Sequence, residues 1–251
     1  MNKWIIAVGL LAWSGLAIAE DVPAVLQWSQ RVELSPRVSG VVREVRVDVG
    51  QRVSKGQPLL LLDGGLYQAR VAEARAAVAS RREELADAKR DLGRTQELYD
   101  RTVIATSELD QAKLREARSR AQLNEAQAKL AQDRKDLDDA TLRAPFDGMV
   151  VARLAEPGQN VVVGLQPQPV LVFARAVEMV AKLRLAEGQI ARLKPGQAVT
   201  VVVGKQEFPG TVKTLGLEPV AGKDPAAYPA EVVFPVKGVL RAGIGAVVRL
   251  P

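Results

Sequence analysis

Apolar positions recur along this chain in two rhythms, and the chain switches from one to the other and back. Val45, Val47 and Val49 alternate with Arg46 and Asp48, the period-two signature of a half-buried strand. Gly50-Gln51 and Gly56-Gln57 then mark turns, and Leu59–Leu62 reads as a further strand. From Leu66 the period lengthens. Val71, Val78, Leu85, Leu92 and Tyr99 stand seven residues apart, and Leu109, Leu123, Leu130 and Leu137 resume the rhythm after a break. A sustained sevenfold repeat is what a left-handed two-stranded coiled coil requires. Ala74, Ala88, Ala112 and Ala126 fall three residues after seam positions, where small side chains let two helices approach. The break, Thr102-Val103-Ile104-Ala105-Thr106, is β-branched and poor in charge, so it predicts a turn. Thr106 or Ser107 is the candidate N-cap of the second helix, with Glu108 and Asp110 in its first turn. The pattern therefore predicts two antiparallel helices of about 35 residues each, a hairpin about 50 Å long. The helices are sequential, alike in length and return to where they left, which favours an intramolecular hairpin over a dimerising coil.

The strand rhythm then returns. Arg143-Ala144-Pro145-Phe146-Asp147-Gly148 leads into a strand over Met149–Leu154, and Pro157-Gly158-Gln159 turns before Val161. No proline lies between Leu59 and Ala144, while Pro58 and Pro145 close that interval, so the helical stretch is an insert within a β-module. Further on, Val177–Leu185 reads as a strand, Glu187–Leu193 as a short helical turn, and Lys194-Pro195-Gly196-Gln197 opens the strand Ala198–Val203. Phe208–Val212, Ala230–Pro235 and Gly243–Leu250 complete a run of short strands punctuated by Gly and Pro, which predicts a small β-barrel.

Composition narrows the chemistry. The 251 residues hold 35 basic and 29 acidic side chains, for a net charge of +6. The two signs are interspersed, so the excess does not read as a nucleic-acid footprint. There is no histidine and no cysteine, which removes the commonest general base and the softest metal ligands together. Beyond the leader only Met149 and Met179 remain as thioethers, better suited to filling a core than to holding a metal. Asp138 and Asp139 are adjacent on a helix and point in different directions, so they do not form a catalytic carboxylate pair. No cofactor, metal or enzymatic activity is expected. Lys3, the apolar stretch Ile5–Ala12 and Ala17-Ile18-Ala19 before Glu20 have the form of a secretory signal peptide. The expectation is an exported, periplasmic protein beginning near Glu20, with no cysteine to carry a lipid anchor.

Taken together, SGVVREVRVDVGQRVSKGQPLLLLD, a helical hairpin, LRAPFDGMVV and PGQNV resemble the lipoyl-type domain of periplasmic adaptors, the membrane fusion proteins of bacterial efflux pumps. Glu187–Gln197, with the form E-x-x-I-x-x-L-x-x-G-Q, is similar to the barrel domain of the same family. The resemblance implies a mixed α and β fold. Residues 1–19 would be the signal, and 20–65 with 142–172 an N-terminal strand plus two halves of a lipoyl-like β-domain. Residues 66–141 would form the hairpin and 173–251 a β-barrel, without a full membrane-proximal domain. Gly40, Gly50, Gly56, Gly148 and Gly158 are its expected turn glycines. A covalent carrier would present a modifiable lysine where the helical insert stands, and Lys55 lacks that setting. The resemblance further implies a homo-oligomer of six, an inner-membrane transporter of resistance-nodulation-division type or, alternatively, an ATP-driven exporter, and an outer-membrane channel. The family meets that channel through an Arg, a Leu four residues later, a Ser seven beyond that, and acidic residues. Here Arg94, Leu98, Glu108 and Asp110 match, while Ala105 occupies the serine position, with Thr106 and Ser107 beside it.

Overall fold

The computed structural model describes residues 20–164, 166, 168–220, 227–236 and 238–251. The proposed signal peptide lies outside the described residues. The chain forms two compact units, one of residues up to Gln30 with Arg175–Pro251, the other of Arg31–Ala174.

In chain order the elements are β1 (Glu20–Trp28), β2 (Arg31–Leu34), β3 (Gly40–Val45), β4 (Arg52–Val53) and β5 (Pro58–Leu62), then α1 (Gly65–Asp100) and α2 (Thr106–Asp139). They continue with β6 (Thr141–Arg143), β7 (Gly148–Arg153), β8 (Asn160–Val161), β9 (Leu171–Ala174), β10 (Glu178–Ala186) and α3 (Glu187–Ile190). The chain closes with β11 (Ala198–Val203), β12 (Gln206–Leu215), β13 (Ala227–Pro235) and β14 (Gly245–Leu250).

The first unit is a closed barrel in the order β1-β10-β13-β12-β11-β14. Alternation drives it: Val22, Ala24 and Leu26 of β1 and Ala246, Val248 and Leu250 of β14 all face one apolar core with Leu185, Val201 and Phe234. Closure leaves no strand edge unpaired. β1 pairs with β10 on one side and β14 on the other, so the N-terminal strand belongs to the barrel, a correction to its assignment with the lipoyl-like halves. Its apolar alternation was visible, but its partners lie more than 150 residues away, beyond any local signal. On the barrel surface the Arg249 guanidinium lies 3.1 Å from Glu207 and 3.4 Å from Asp21. Hydrogen bonds first to Glu207 and then to Asp21 raise its pKa above the ordinary arginine value.

The second unit is a barrel-sandwich of two four-stranded sheets, β2-β9-β7-β4 and β6-β5-β3-β8. Leu59, Leu60, Val42, Val150 and Phe173 are buried between them. β3 stops at Val45; Val47 is buried, but Val49 is 62% exposed because it is the second residue of the turn that ends at Gln51. The expected strand Val45–Val49 is thus half strand and half turn. Gly40 and Gly148 are likewise strand residues, at the starts of β3 and β7, and not turn residues. At Gly148 the reason for glycine is space, since a Cβ there would lie 2.4 Å from the Ala174 carbonyl oxygen.

The remaining turns repeat one device. Gly50, Gly56, Gly158 and Gly196 all have φ between 81 and 88°, each followed by Gln. A left-handed third turn residue is unfavourable for side chains but free for glycine. Each Gln amide oxygen accepts the backbone N–H three residues earlier, from Asp48, Ser54, Glu156 and Lys194 at 2.9 to 3.2 Å. Gly N–H and Gln C=O then bond a single residue of the neighbouring strand, as Gly50 and Gln51 do with Val150, the two-against-one count of a β-bulge. The Gly-Gln pair thus ends one strand and starts the next in both units.

The helices α1 and α2 enter and leave this unit at one place: Leu62 N–H donates to Ala140 O at 2.8 Å, bringing the end of β5 against the end of α2. Between them Val71, Ala74, Val78, Leu85, Leu123 and Leu130 pack into one apolar seam. Leu92 and Leu137 are half-buried and Tyr99 is exposed, while Leu109 and Ala112 near the far end are buried. Seven-residue spacing from Leu109 to Leu123 passes through Glu116, which is buried, as is Asp133. Each carboxylate is paired along the helix, Glu116 with Arg120 at 2.5 Å and Asp133 with Lys129 at 2.8 Å.

Candidate functional site

The far end of the helix pair is built by two helix termini meeting across a short turn. At the end of α1, Thr102 N–H donates to Tyr99 O at 2.8 Å and Val103 N–H to Leu98 O at 3.0 Å. This is the helix stop usually made by a left-handed glycine. Here the left-handed residue is Thr102, with φ 60°, the one non-glycine residue with positive φ among those described. α2 begins at Thr106 with Ala105 as its N-cap in extended conformation and no side-chain cap, so neither Thr106 nor Ser107 caps the helix. Thr106 Oγ1 instead reaches the Tyr99 hydroxyl at 3.5 Å across the turn. The helix start is carried by Glu108 in the first turn, favourably placed against the positive helix end.

The sequence-selected residues divide. Leu98 (43% exposed) and Ala105 lie next to the turn, whereas Arg94 is two helical turns back from it. Arg94 lines a shallow groove with Asp87, Asp91, Arg115 and Arg118, where Asp91 and Arg115 are bridged between the helices at 2.7 Å. Leu98 is four residues from Arg94 and shares its face. Leu109 is buried, so Glu108 and Asp110 project about 100° to either side of it. Glu108 falls on the flank of Arg115 and Arg94. Asp110 falls on the opposite flank, 3.8 Å from Lys113. Helix geometry therefore places Arg94, Leu98 and Glu108 on one flank and Asp110 on the other. Val103, 66% exposed, and Thr102 form the turn itself; the sequence reading did not single them out, since a β-branched run signals only that the helix stops.

Among the described residues no cluster of acidic side chains could hold a metal ion, and no helix is long and apolar enough to cross a membrane. In the turn before β5, Lys55 N–H donates to Asp147 Oδ1 at 2.7 Å, which ties that turn to the segment leading into β7.

The profile of the CzcB-like barrel-sandwich hybrid domain matches residues 30–164, more than half of the chain. This chain belongs to the family of the CzcB-like barrel-sandwich hybrid domain. It is 28% identical over 224 residues to the macrolide export protein MacA of Yersinia pestis, covering 82% of this chain and 60% of that one. It is 28% identical over 174 residues to the multidrug resistance protein MdtA of Cronobacter turicensis, covering 68% and 42%. The chain thus spans less than two thirds of these relatives. In overall fold it matches the membrane fusion protein Spr0693 of Streptococcus pneumoniae with a TM-score of 0.72, at 18% identity, over 91% of this chain and 97% of that one. It also matches a MacA–MexA chimera carrying the Pseudomonas aeruginosa MexA α-hairpin, with a TM-score of 0.69, 22% identity and coverage of 92% and 78%.

Proposed function

We propose that this membrane fusion protein is the periplasmic adaptor of a tripartite efflux system, joining an inner-membrane pump to an outer-membrane channel. The observation that carries this reading is the geometry of the insert. Two helices of 36 and 34 residues leave a β-sandwich and return to it at one point, and their far end is exposed. At 1.5 Å per residue α1 alone reaches about 54 Å, the dimension of a spacer. Its charges are balanced, fifteen basic and fifteen acidic over residues 66–142, and suit lateral contact with copies of itself. Six copies closing head to tail would make a tube. The adaptor would then carry out no bond chemistry and need no cofactor; it would seal a conduit and couple pump motion to the channel.

Docking is assigned to the tip, with Arg94, Leu98 and Glu108 on the contacting flank, Ala105 beside the turn and Asp110 outside the contact. A planar guanidinium is exacting about carbonyl and carboxylate geometry, and an exposed leucine beside it supplies an apolar anchor. The test is Arg94→Asp in the full chain, read by transport and by in-cell crosslinking from the tip. Transport and the crosslink to the channel should be lost while export, folding and ring formation persist. Normal transport with an intact crosslink would make the helices a lateral spacer instead. Co-purification identifies the pump as a proton-driven transporter or a transport ATPase.

A further inference from the structure

The tip contains a conformational choice that the stability of the chain does not explain. The residue after a helix end that adopts a left-handed conformation is ordinarily Gly, sometimes Asn, because a Cβ crowds the following carbonyl. A β-branched residue is among the worst placed there. Thr102 nevertheless holds φ 60° in a fully formed stop, with the hydrogen bonds from Thr102 to Tyr99 and from Val103 to Leu98 both made. The side chain is exposed, so burial offsets nothing. Among the described residues no donor or acceptor meets its hydroxyl. At the other described residues with positive φ the chain has glycine: Gly50, Gly56, Gly158, Gly196, Gly204 and Gly243. The exception sits on the outermost turn, beside the exposed Leu98 and Val103.

Strain kept at an exposed position where the fold gains nothing from it is a mark of a surface that something else reads. We propose that Thr102 is a specificity-determining contact for the outer-membrane channel. Its branched, hydroxyl-bearing side chain is held out of the turn by the left-handed backbone and docks together with Leu98 and Val103. The inference rests on the tip-docking reading above and adds a residue outside the positions that the family resemblance singled out. It also supplies the hydroxyl that Ala105 lacks: Thr106 is engaged with Tyr99 across the turn, while Thr102 faces outward.

The experiment uses the full-length chain in cells, with a photo-crosslinking residue at Arg101, and measures the adduct to outer-membrane protein alongside thermal melting of the purified chain. Thr102→Gly should melt a few degrees higher, because strain is relieved, yet give about tenfold less adduct, the size of one lost interface contact. Thr102→Ser, which keeps the hydroxyl, should retain more adduct than Thr102→Gly. Undiminished adduct in Thr102→Gly while Arg94→Asp abolishes it would overturn this proposal and leave tip docking standing. Undiminished adduct in both would remove tip docking itself. If neither Thr102→Gly nor Thr102→Asn melts higher than the parent, the turn is unstrained and the proposal fails on its premise.

Discussion

Replacing Leu85 or Leu130 by Ala tests whether the apolar seam holds the helix pair together. Both side chains are 8% exposed and pack in one cluster with Val71, Val78 and Leu123. Truncation to alanine removes three carbons from each, and at about 0.8 kcal/mol per buried methylene the transfer loss is about 2 to 2.5 kcal/mol. A cavity contribution normally adds to this in globular cores, taking leucine deletions to about 2 to 5 kcal/mol. Here only two helices line the seam and water reaches both of its sides, so the gap is relieved by solvent and the low end applies. A loss of about 2 to 2.5 kcal/mol corresponds to an increase of roughly 30- to 70-fold in the local opening constant, taking RT as about 0.59 kcal/mol. Amide hydrogen exchange read by peptide mass spectrometry detects this in α1 and α2 separately from the β-sandwich. The control is Leu114→Ala, a leucine of the same helix that is 49% exposed and should change exchange little. Equal acceleration by Leu114→Ala and Leu130→Ala would refute the seam, because helix propensity and not burial would then be setting stability.

Two further outcomes follow from packing and charge. Asp133→Leu replaces a carboxylate buried in the helix pair, whose partner Lys129 is largely exposed, and should raise the helices' stability by about 1 kcal/mol or more; a lower melting temperature would show that the ion pair, not the apolar seam, holds this layer. Gly148→Ala forces a Cβ against the Ala174 carbonyl and should cost about 1 to 3 kcal/mol, measured by denaturant unfolding, whereas an unchanged midpoint would mean that β7 and β9 can separate without loss.

The helix pair was legible because its signal is local and redundant. Val71, Val78 and Leu85 declare their burial by spacing alone, and the charged flanks repeat the message. The seam was misread where a charged residue occupies a buried position: the spacing puts Glu116 in the row of Leu109 and Leu123, but an acidic side chain is ordinarily a solvated one, so residue type argued against burial. The barrel strands from Val177 onward were legible as strands for a similar reason, alternation between Gly and Pro breaks. What sequence could not convey was pairing. β1 closes the barrel against β10 and β14, and only the folded chain brings Glu20 opposite Leu250. At the tip the sequence named candidate residues but not their arrangement. Arg94 and Glu108 share a flank because Leu109 faces inward, and the same fact sends Asp110 to the other side.

The relation between the β-sandwich and the helices explains how an arm can be added without cost to its mount. The sandwich closes across the insertion point through backbone hydrogen bonds: β5 pairs with β6, Leu60 opposite Leu142, so the strands flanking the helices are already neighbours. Gly-Gln turns fix three further strand reversals with hydrogen bonds internal to each turn, leaving those corners independent of anything beyond the sheets. At the root Tyr67 of α1 is buried in the sandwich core, its hydroxyl donating to Ser39 O at 2.6 Å; beyond it the helices stabilise each other through an apolar core of their own. An arm that beyond its root packs only on itself is free to carry residues that stability would reject. Thr102 at the turn and the carboxylates of Glu116 and Asp133 in the seam are residues of that kind, all of them on the arm and none in either β-unit.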